Sequence, residues 1–367
     1  MTGCRNPIQC LVPPTVLLRI AERGNSRQRE FALRTLSRDQ LIRTARLQNA
    51  ALRGYGLREG FDALAQLAAA TTTPKANRTI VDARNRSTVI GRVVRREGDA
   101  ETGDDATDQA YDGFGATFDF YRDLFGRDSI DGQGLPLRGV VHYGTDYDNA
   151  FWDGRRMVFG DGDNEVFSLL TGSLDVIGHE LTHGVTEDEA ALQYVGQSGA
   201  LNESISDVFG SLVKQYRNDE TADKANWLIG ETVWTPNVDG DALRSLKAPG
   251  TAYDDPLVGK DDQPAHMDDF VFTSADNGGV HINSGIPNHA FYLVATQLGG
   301  HAWEKAGRIW YEALRDPGTT ARANFSSFAQ VTVNVASRLY GQSSEEVRAV
   351  RAGWDGVGVS MGVAIAA

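Results

Sequence analysis

The sequence predicts an α+β protein of two lobes, β-rich first and α-helical afterwards, with a short helical segment ahead of both. Three observations carry this reading. Short β-branched runs punctuated by Gly and Asp occupy roughly residues 78–159, helical periodicity dominates beyond Ser173, and a basic, Leu- and Ala-rich head precedes them. The implied boundaries are 1–74 for the head, 75–173 for the β-rich lobe and 174–367 for the helical lobe.

In the head, Val16, Leu17, Ile20, Phe31, Leu33, Leu36, Leu41, Ile42 and Leu47 recur at loosely helical spacing among arginines. Residues 1–75 hold 12 Lys/Arg against 5 Asp/Glu, a charge of +7, so with −13 overall the remainder carries −20. Such a basic segment can be a nucleic-acid arm, but its apolar content suits a helical element docking on the acidic body. The small, polar stretch Leu67–Lys75 reads as a linker or processing region. The only cysteines, Cys4 and Cys10, both lie in the head, which leaves the body without a disulfide framework. Pro13 and Pro14 interrupt the apolar run near the start, so no standard signal peptide is visible, and no window of 18 apolar residues suggests a membrane span.

The β-rich lobe is expected to contain strands at Thr79–Val81, Ser87–Val94, Val140–Tyr143 and Met157–Phe159, paired antiparallel, with an acidic, turn-rich gap at Glu97–Asp108. Helices are expected at Leu174–Glu187, Asn202–Tyr216, Asn288–Gln297, Ala302–Leu314, Phe325–Tyr340 and Ser344–Asp355.

Chemistry concentrates in Asp175-Val-Ile-Gly-His179-Glu180-Leu-Thr-His183. Residues four apart on a helix lie on one face, so His179 and His183 can aim two imidazoles at one tetrahedral zinc, with Glu180 beside them as a general base. The pattern alone also fits an amphipathic surface helix with two unrelated histidines. Ile177 and Leu181 give the helix an apolar side, and Gly199-Ala-Leu-Asn202-Glu203-Ser-Ile-Ser-Asp207 follows, where Glu203 can supply a third ligand. Two imidazoles and one carboxylate leave a coordination position open, which is a catalytic rather than a structural arrangement. Asp207 and Asn202 can accept from the outer nitrogens of His179 and His183.

Together, HELTH and GALNESISD resemble the thermolysin-type zinc metallopeptidases. The blocks Asp276-Asn-Gly-Gly-Val-His281-Ile-Asn-Ser-Gly285, Asn149-Ala-Phe-Trp152 leading to Gly160-Asp-Gly-Asp163, and the C-terminal Leu339-Tyr-Gly341 agree with that family in the same order. The head, with Cys10-Leu-Val-Pro13-Pro14, resembles the protealysin-like branch, whose propeptide is short. This resemblance implies a thermolysin-like fold and a self-processing neutral zinc endopeptidase with one catalytic Zn2+, cleaving proteins or peptides before large hydrophobic residues. It also implies roles. His179, His183 and Glu203 hold zinc, Glu180 is the base, Tyr194 and His281 stabilise the oxyanion, and Asp276 orients His281. Asn149, Ala150 and Arg244 bind substrate backbone, and Phe167, Leu170, Val176 and Leu243 line an apolar pocket. By itself each of these side chains reads as ordinary core or surface.

The family's double calcium site is expected to be absent. Asp175 and Glu231 remain, but Lys214 and Leu228 occupy places of acidic residues, and an ammonium opposes a divalent cation. Calcium elsewhere stays open, although Gly160–Asp163 reads as a turn. The head is expected to act as an intramolecular inhibitor, with Cys10 either a thiolate on the open zinc position or an apolar anchor alongside Pro13 and Pro14. The expected protein is a monomer with no nucleic-acid partner. The resemblance implies secretion, while the invisible signal peptide leaves non-classical export or intracellular retention open.

Overall fold

The computed structural model describes residues 9–54 and 74–361. Cys4 and most of the Leu67–Lys75 stretch lie outside the described residues. A two-residue strand, β1 (Gln9–Cys10), opens the head, and helices α1 (Pro14–Arg23) and α2 (Ser26–Gly54) follow. Pro14 occupies the first turn of α1, where its missing N–H costs no helical bond. The head is therefore helical as expected, but its strand is not foreseen by periodicity, since two residues carry none.

The first lobe holds β2 (Arg78–Asp82), β3 (Arg92–Arg96), α3 (Asp105–Phe125), β4 (Leu137–Val141), β5 (Ala150–Trp152) and β6 (Met157–Phe159). Three expectations are corrected here. The sheet is mixed, in the order β1-β5-β6-β4-β2-β3, with β2/β4 and β4/β6 parallel. The Ser87–Val94 run supplies a strand only from Arg92. The acidic stretch near Asp108 opens a 21-residue helix, because Asp104 caps it through Thr107 N at 2.8 Å and Asp105 and Asp108 sit in its first turn, where the helix dipole favours them.

The second lobe begins with α4 (Leu174–Glu189) and α5 (Gly196–Asn218). Two small hairpins follow, β7 (Leu228–Ile229) with β8 (Arg244–Ser245), and β9 (Asp254–Asp255) with β10 (Gly259–Lys260). The lobe ends with α6 (Asp276–Asn283), α7 (Gly285–Leu298), α8 (Ala306–Arg315), α9 (Phe325–Tyr340) and α10 (Glu345–Gly356). Trp310 and Trp354 stack at 5.9 Å in its core. Helices α4 and α5 are buried along most of their length and approach closely. A Cβ on Gly210 would stand 2.4 Å from the Asp175 carbonyl oxygen and 3.0 Å from His179 N, so only glycine permits this spacing. That approach brings two motifs some 20 residues apart in sequence onto one point.

Candidate active site

His179, Glu180 and His183 project from α4, and Asn202, Glu203 and Asp207 from α5, all fully buried. His179 Nδ1 lies 2.8 Å from Asp207 Oδ1, and His183 Nδ1 lies 2.8 Å from Asn202 Oδ1 and 2.9 Å from Ser206 Oγ. With both Nδ1 atoms engaged, both Nε2 atoms turn inward, 3.0 Å apart. Each Nε2 is 3.5 Å from an oxygen of Glu203, and the Glu203 Oε2 atom is buried without a hydrogen bond. A tetrahedral zinc with ligands near 2.0–2.2 Å sets its donors roughly 3.3 Å apart, so this donor set fits the ion. Among the described residues, His179, His183 and Glu203 are the one group of this kind. Burial and the neighbouring His179 push the His183 pKa well down, which keeps its ring neutral and able to ligate.

The opposite wall is built by α6. Its first four residues, Asp276 to Gly279, all have positive φ, forming a left-handed turn before the right-handed helix that carries His281. This turn lets Asp276 accept from His281 N at 2.8 Å and lie 2.6 Å from His281 Nδ1. Burial opposes a charge on His281, but the carboxylates of Asp276 and Glu203 overcome it and raise its pKa to about 9. Tyr194 Oη lies 3.1 Å from His281 Nε2 and donates to Glu203 Oε1. Burial, and then the Glu203 charge, hold the phenol pKa well above its ordinary value, so Tyr194 keeps its proton.

Strand β1 of the head runs between these walls. Gln9 pairs with Trp152 and Cys10 with Phe151, antiparallel to β5. Leu11 N donates to the Ala150 carbonyl at 3.1 Å, and Val12 N to Asn149 Oδ1 at 3.0 Å. The Cys10 carbonyl oxygen lies 2.9 Å from His281 Nε2, and the Leu11 carbonyl accepts from Arg244 Nη1 at 3.1 Å. Leu11 and Val12 are fully buried and belong to the main apolar core, of which Phe167, Leu170, Val176 and Leu243 are also part. Pro13 and Pro14 then turn the chain out into α1. Cys10 packs elsewhere, with Val140, Tyr143, Tyr147, Phe151 and Val158, and its thiol points to the Val12 carbonyl at 3.9 Å. It is not part of the His179, His183 and Glu203 group, and its apolar surroundings are those of the anchor alternative.

Three contributors have no sequence signal. Asn288 Nδ2 donates to Asp207 Oδ2 at 2.9 Å from α7. Asp39 of α2 accepts from Tyr147 Oη at 2.5 Å and from Asn149 Nδ2 at 3.0 Å, and Thr35 accepts from Asp148 N at 3.3 Å. The i, i+4 spacing of Thr35 and Asp39 puts them on one helix face, but nothing local says what that face meets. Beside Asp175, where the double calcium site is expected to be absent, Lys214 Nζ donates to Asp175 Oδ2 at 2.5 Å and to the Leu228 carbonyl at 2.8 Å. Glu231 accepts from Asn226 Nδ2 at 2.8 Å.

Residues 30–187 match the family model described as thermolysin metallopeptidase, catalytic domain, and residues 190–359 the one described as thermolysin metallopeptidase, alpha-helical domain. The chain is 47% identical over 355 residues to an extracellular metalloprotease of Pectobacterium carotovorum subsp. carotovorum, covering 97% of each chain. It is 44% identical to protease PrtS of Photorhabdus sp. (strain Az29), covering 97% of this chain and 93% of that one. Among solved structures, the precursor of protealysin, a metalloproteinase from Serratia proteamaculans, superposes with a TM-score of 0.85 at 49% identity, covering 96% of this chain and 100% of that one.

Proposed function

The chain belongs to the thermolysin metallopeptidase family and is a metalloendopeptidase, and we propose that it is made as a latent, self-processing precursor with a head of residues 1–74, of which residues 9–12 occupy the groove of their own catalytic body. On this reading residues 75–173 and 174–367 are the two catalytic lobes. The observation that carries it is the path of β1. The head lies as an added strand on β5, held by the Ala150 carbonyl, the Asn149 side chain and Arg244, all of them groups that would hold a polypeptide substrate.

The same path supports the reaction. The Cys10 carbonyl oxygen at His281 and the Leu11 N–H at Ala150 support a reading in which the Cys10–Leu11 peptide marks the position of a scissile bond. His179, His183 and Glu203 would hold the zinc, which when bound would supply Lewis-acid polarisation and a water of pKa about 7. Glu180, next to His179 on α4, takes the proton of the attacking water as its oxygen bonds to the carbonyl carbon. It then passes that proton to the amide nitrogen as the C–N bond breaks. Tyr194 and protonated His281 donate to the oxygen that becomes anionic. Asp276 keeps His281 charged, and Asp207 and Asn202 keep the two ligand imidazoles in register.

Leu11, the first residue past that bond, is fully buried in the apolar core, and on this reading Phe167, Leu170, Val176 and Leu243 form the pocket that receives it. Burial of such a side chain contributes about 1.5–3 kcal/mol, which supports cleavage on the amino side of large hydrophobic residues. The substrates are then proteins or peptides and the working state a monomer. A relative named an extracellular metalloprotease supports action outside the cell. Among the described residues, no helix is long and apolar enough to cross a membrane.

The test is casein hydrolysis by the purified protein, with its head removed, and by Glu180→Ala, with zinc determined on both. Equal zinc with loss of hydrolysis only in the variant supports the peptidase and the base. Equal zinc with no hydrolysis by either protein overturns the reading.

A further inference from the structure

Where the head leaves the groove, α1 lies across the β9–β10 hairpin. Arg19, eight residues on from Leu11, donates through Nη1 to the Lys260 carbonyl at 3.0 Å and through Nη2 to Asp262 Oδ2 at 2.9 Å. The floor beneath it is Gly259, whose φ of +84° favours glycine and whose missing side chain leaves room for the arginine stem. One turn later Arg23 donates to the Pro256 carbonyl at 3.3 Å. Around both guanidinium groups lies a cavity of about 640 Å³ whose walls include Asp254, Asp255, Asp261 and Asp262. Two of these carboxylates brace the loops. Asp255 accepts from Asp239 N, Leu257 N and Val258 N, and Asp261 from Gly250 N, Ala252 N and Gln263 N. Asp262 instead meets the guanidinium.

All the acceptors of this seat belong to the catalytic body, so the seat outlasts the head. We propose that in the released enzyme it is a secondary recognition site for an arginine side chain of a polypeptide substrate, at the ninth residue past the cleaved bond and on a helical segment. The inference rests on the peptidase reading above and adds a specificity determinant far from the reacting atoms. A guanidinium fits better than an ammonium, because the two acceptors engage two separate Nη atoms of one planar fork.

The experiment uses enzyme matured from the full chain. One fluorogenic peptide presents a Gly–Leu bond followed by the sequence of residues 12–23. A second differs only by glutamine at the position of Arg19, and a third substrate is a short blocked Gly–Leu amide. The arginine peptide is expected to be cut with kcat/KM roughly 3- to 10-fold higher than the glutamine peptide, through KM, with the gap narrowing at high salt. Asp262→Asn is expected to erase that difference while leaving the short amide unchanged. Equal rates on the two long peptides, or failure to cut either while the short amide is cut, overturn the secondary site. Failure on the short amide overturns the peptidase reading instead.

Discussion

Arg244 and Asp207 form a buried, two-pronged ion pair, with Arg244 Nε 2.8 Å from Asp207 Oδ2 and Nη2 2.9 Å from Oδ1. Asp207 also lies 2.8 Å from His179 Nδ1, and Arg244 Nη1 holds the Leu11 carbonyl. Burial opposes ionisation of Asp207, but Arg244 and His179 hold its pKa well below the usual carboxylate range. One anion therefore ties the group that grips a polypeptide to a candidate metal ligand.

Removing the cation leaves that anion buried and short of a partner. Arg244→Ala is expected to lower kcat/KM about 100-fold and to destabilise the body by about 3–5 kcal/mol. Steady-state kinetics and urea unfolding read the two effects. Wild-type stability in the variant would refute the idea that the pair is structurally coupled.

Asp39 belongs to the head, but it fixes the Asn149 amide, whose Oδ1 accepts from Val12 N. Helix α2 and strand β1 are thus linked through one side chain of the body. Asp39→Ala should make the precursor process faster and leak activity several-fold, while the matured enzyme, from which residue 39 is gone, keeps the wild-type kcat and KM. A processing time course compared with the activity of the final product checks this, and an unchanged time course counts against the link.

Lys214 occupies the place where a calcium ion would need acceptors, with its ammonium on Asp175 and the Leu228 carbonyl. Calcium next to α4 is therefore expected to add nothing to the melting temperature, because the ammonium takes the acceptors such an ion would use. A calcium-dependent rise in Tm that survives Lys214→Ala would place an ion elsewhere. A crystallographic calcium beside Asp175 would contradict the prediction directly.

His142 sits between two carboxylates, with Nδ1 2.9 Å from Asp161 Oδ2 and Nε2 3.2 Å from Asp104 Oδ1. The hydrogen bond to Asp161 comes first, burial opposes it, and the charges of Asp161 and Asp104 add to it, raising the pKa to about 9. A folded pKa above the unfolded value of roughly 6.5 means the stabilisation is complete below about pH 6.5 and is lost as pH rises through 9. Unfolding measured from pH 6 to 10 should show this decline, and His142→Gln should flatten it. A titration of the His142 ring by NMR near pH 6.5 would refute the assignment.

Much of the active site is legible in the sequence because it depends on spacing along single helices. The i, i+4 rule places His179 and His183 together, and one turn separates Glu203 from Asp207, so donor type and direction follow from local geometry. Helices in the second lobe are legible for the same reason, although Gly196–Gly199 begins α5 earlier than its apolar pattern suggests. What the chain does not declare locally is how its parts meet. Helix α3 hides in an acidic, glycine-containing stretch, because its stability comes from Asp104 capping it and from Gly113 fitting against Ile177. The mixed sheet order follows from crossovers that no strand encodes alone. Strand β1 is two residues long and exists only because β5 offers an open edge. The partners of Asp39, Arg19 and Asn288 lie 81 to 243 residues away, and hydrogen bonds at such separation are decided by packing, which a one-dimensional pattern does not contain.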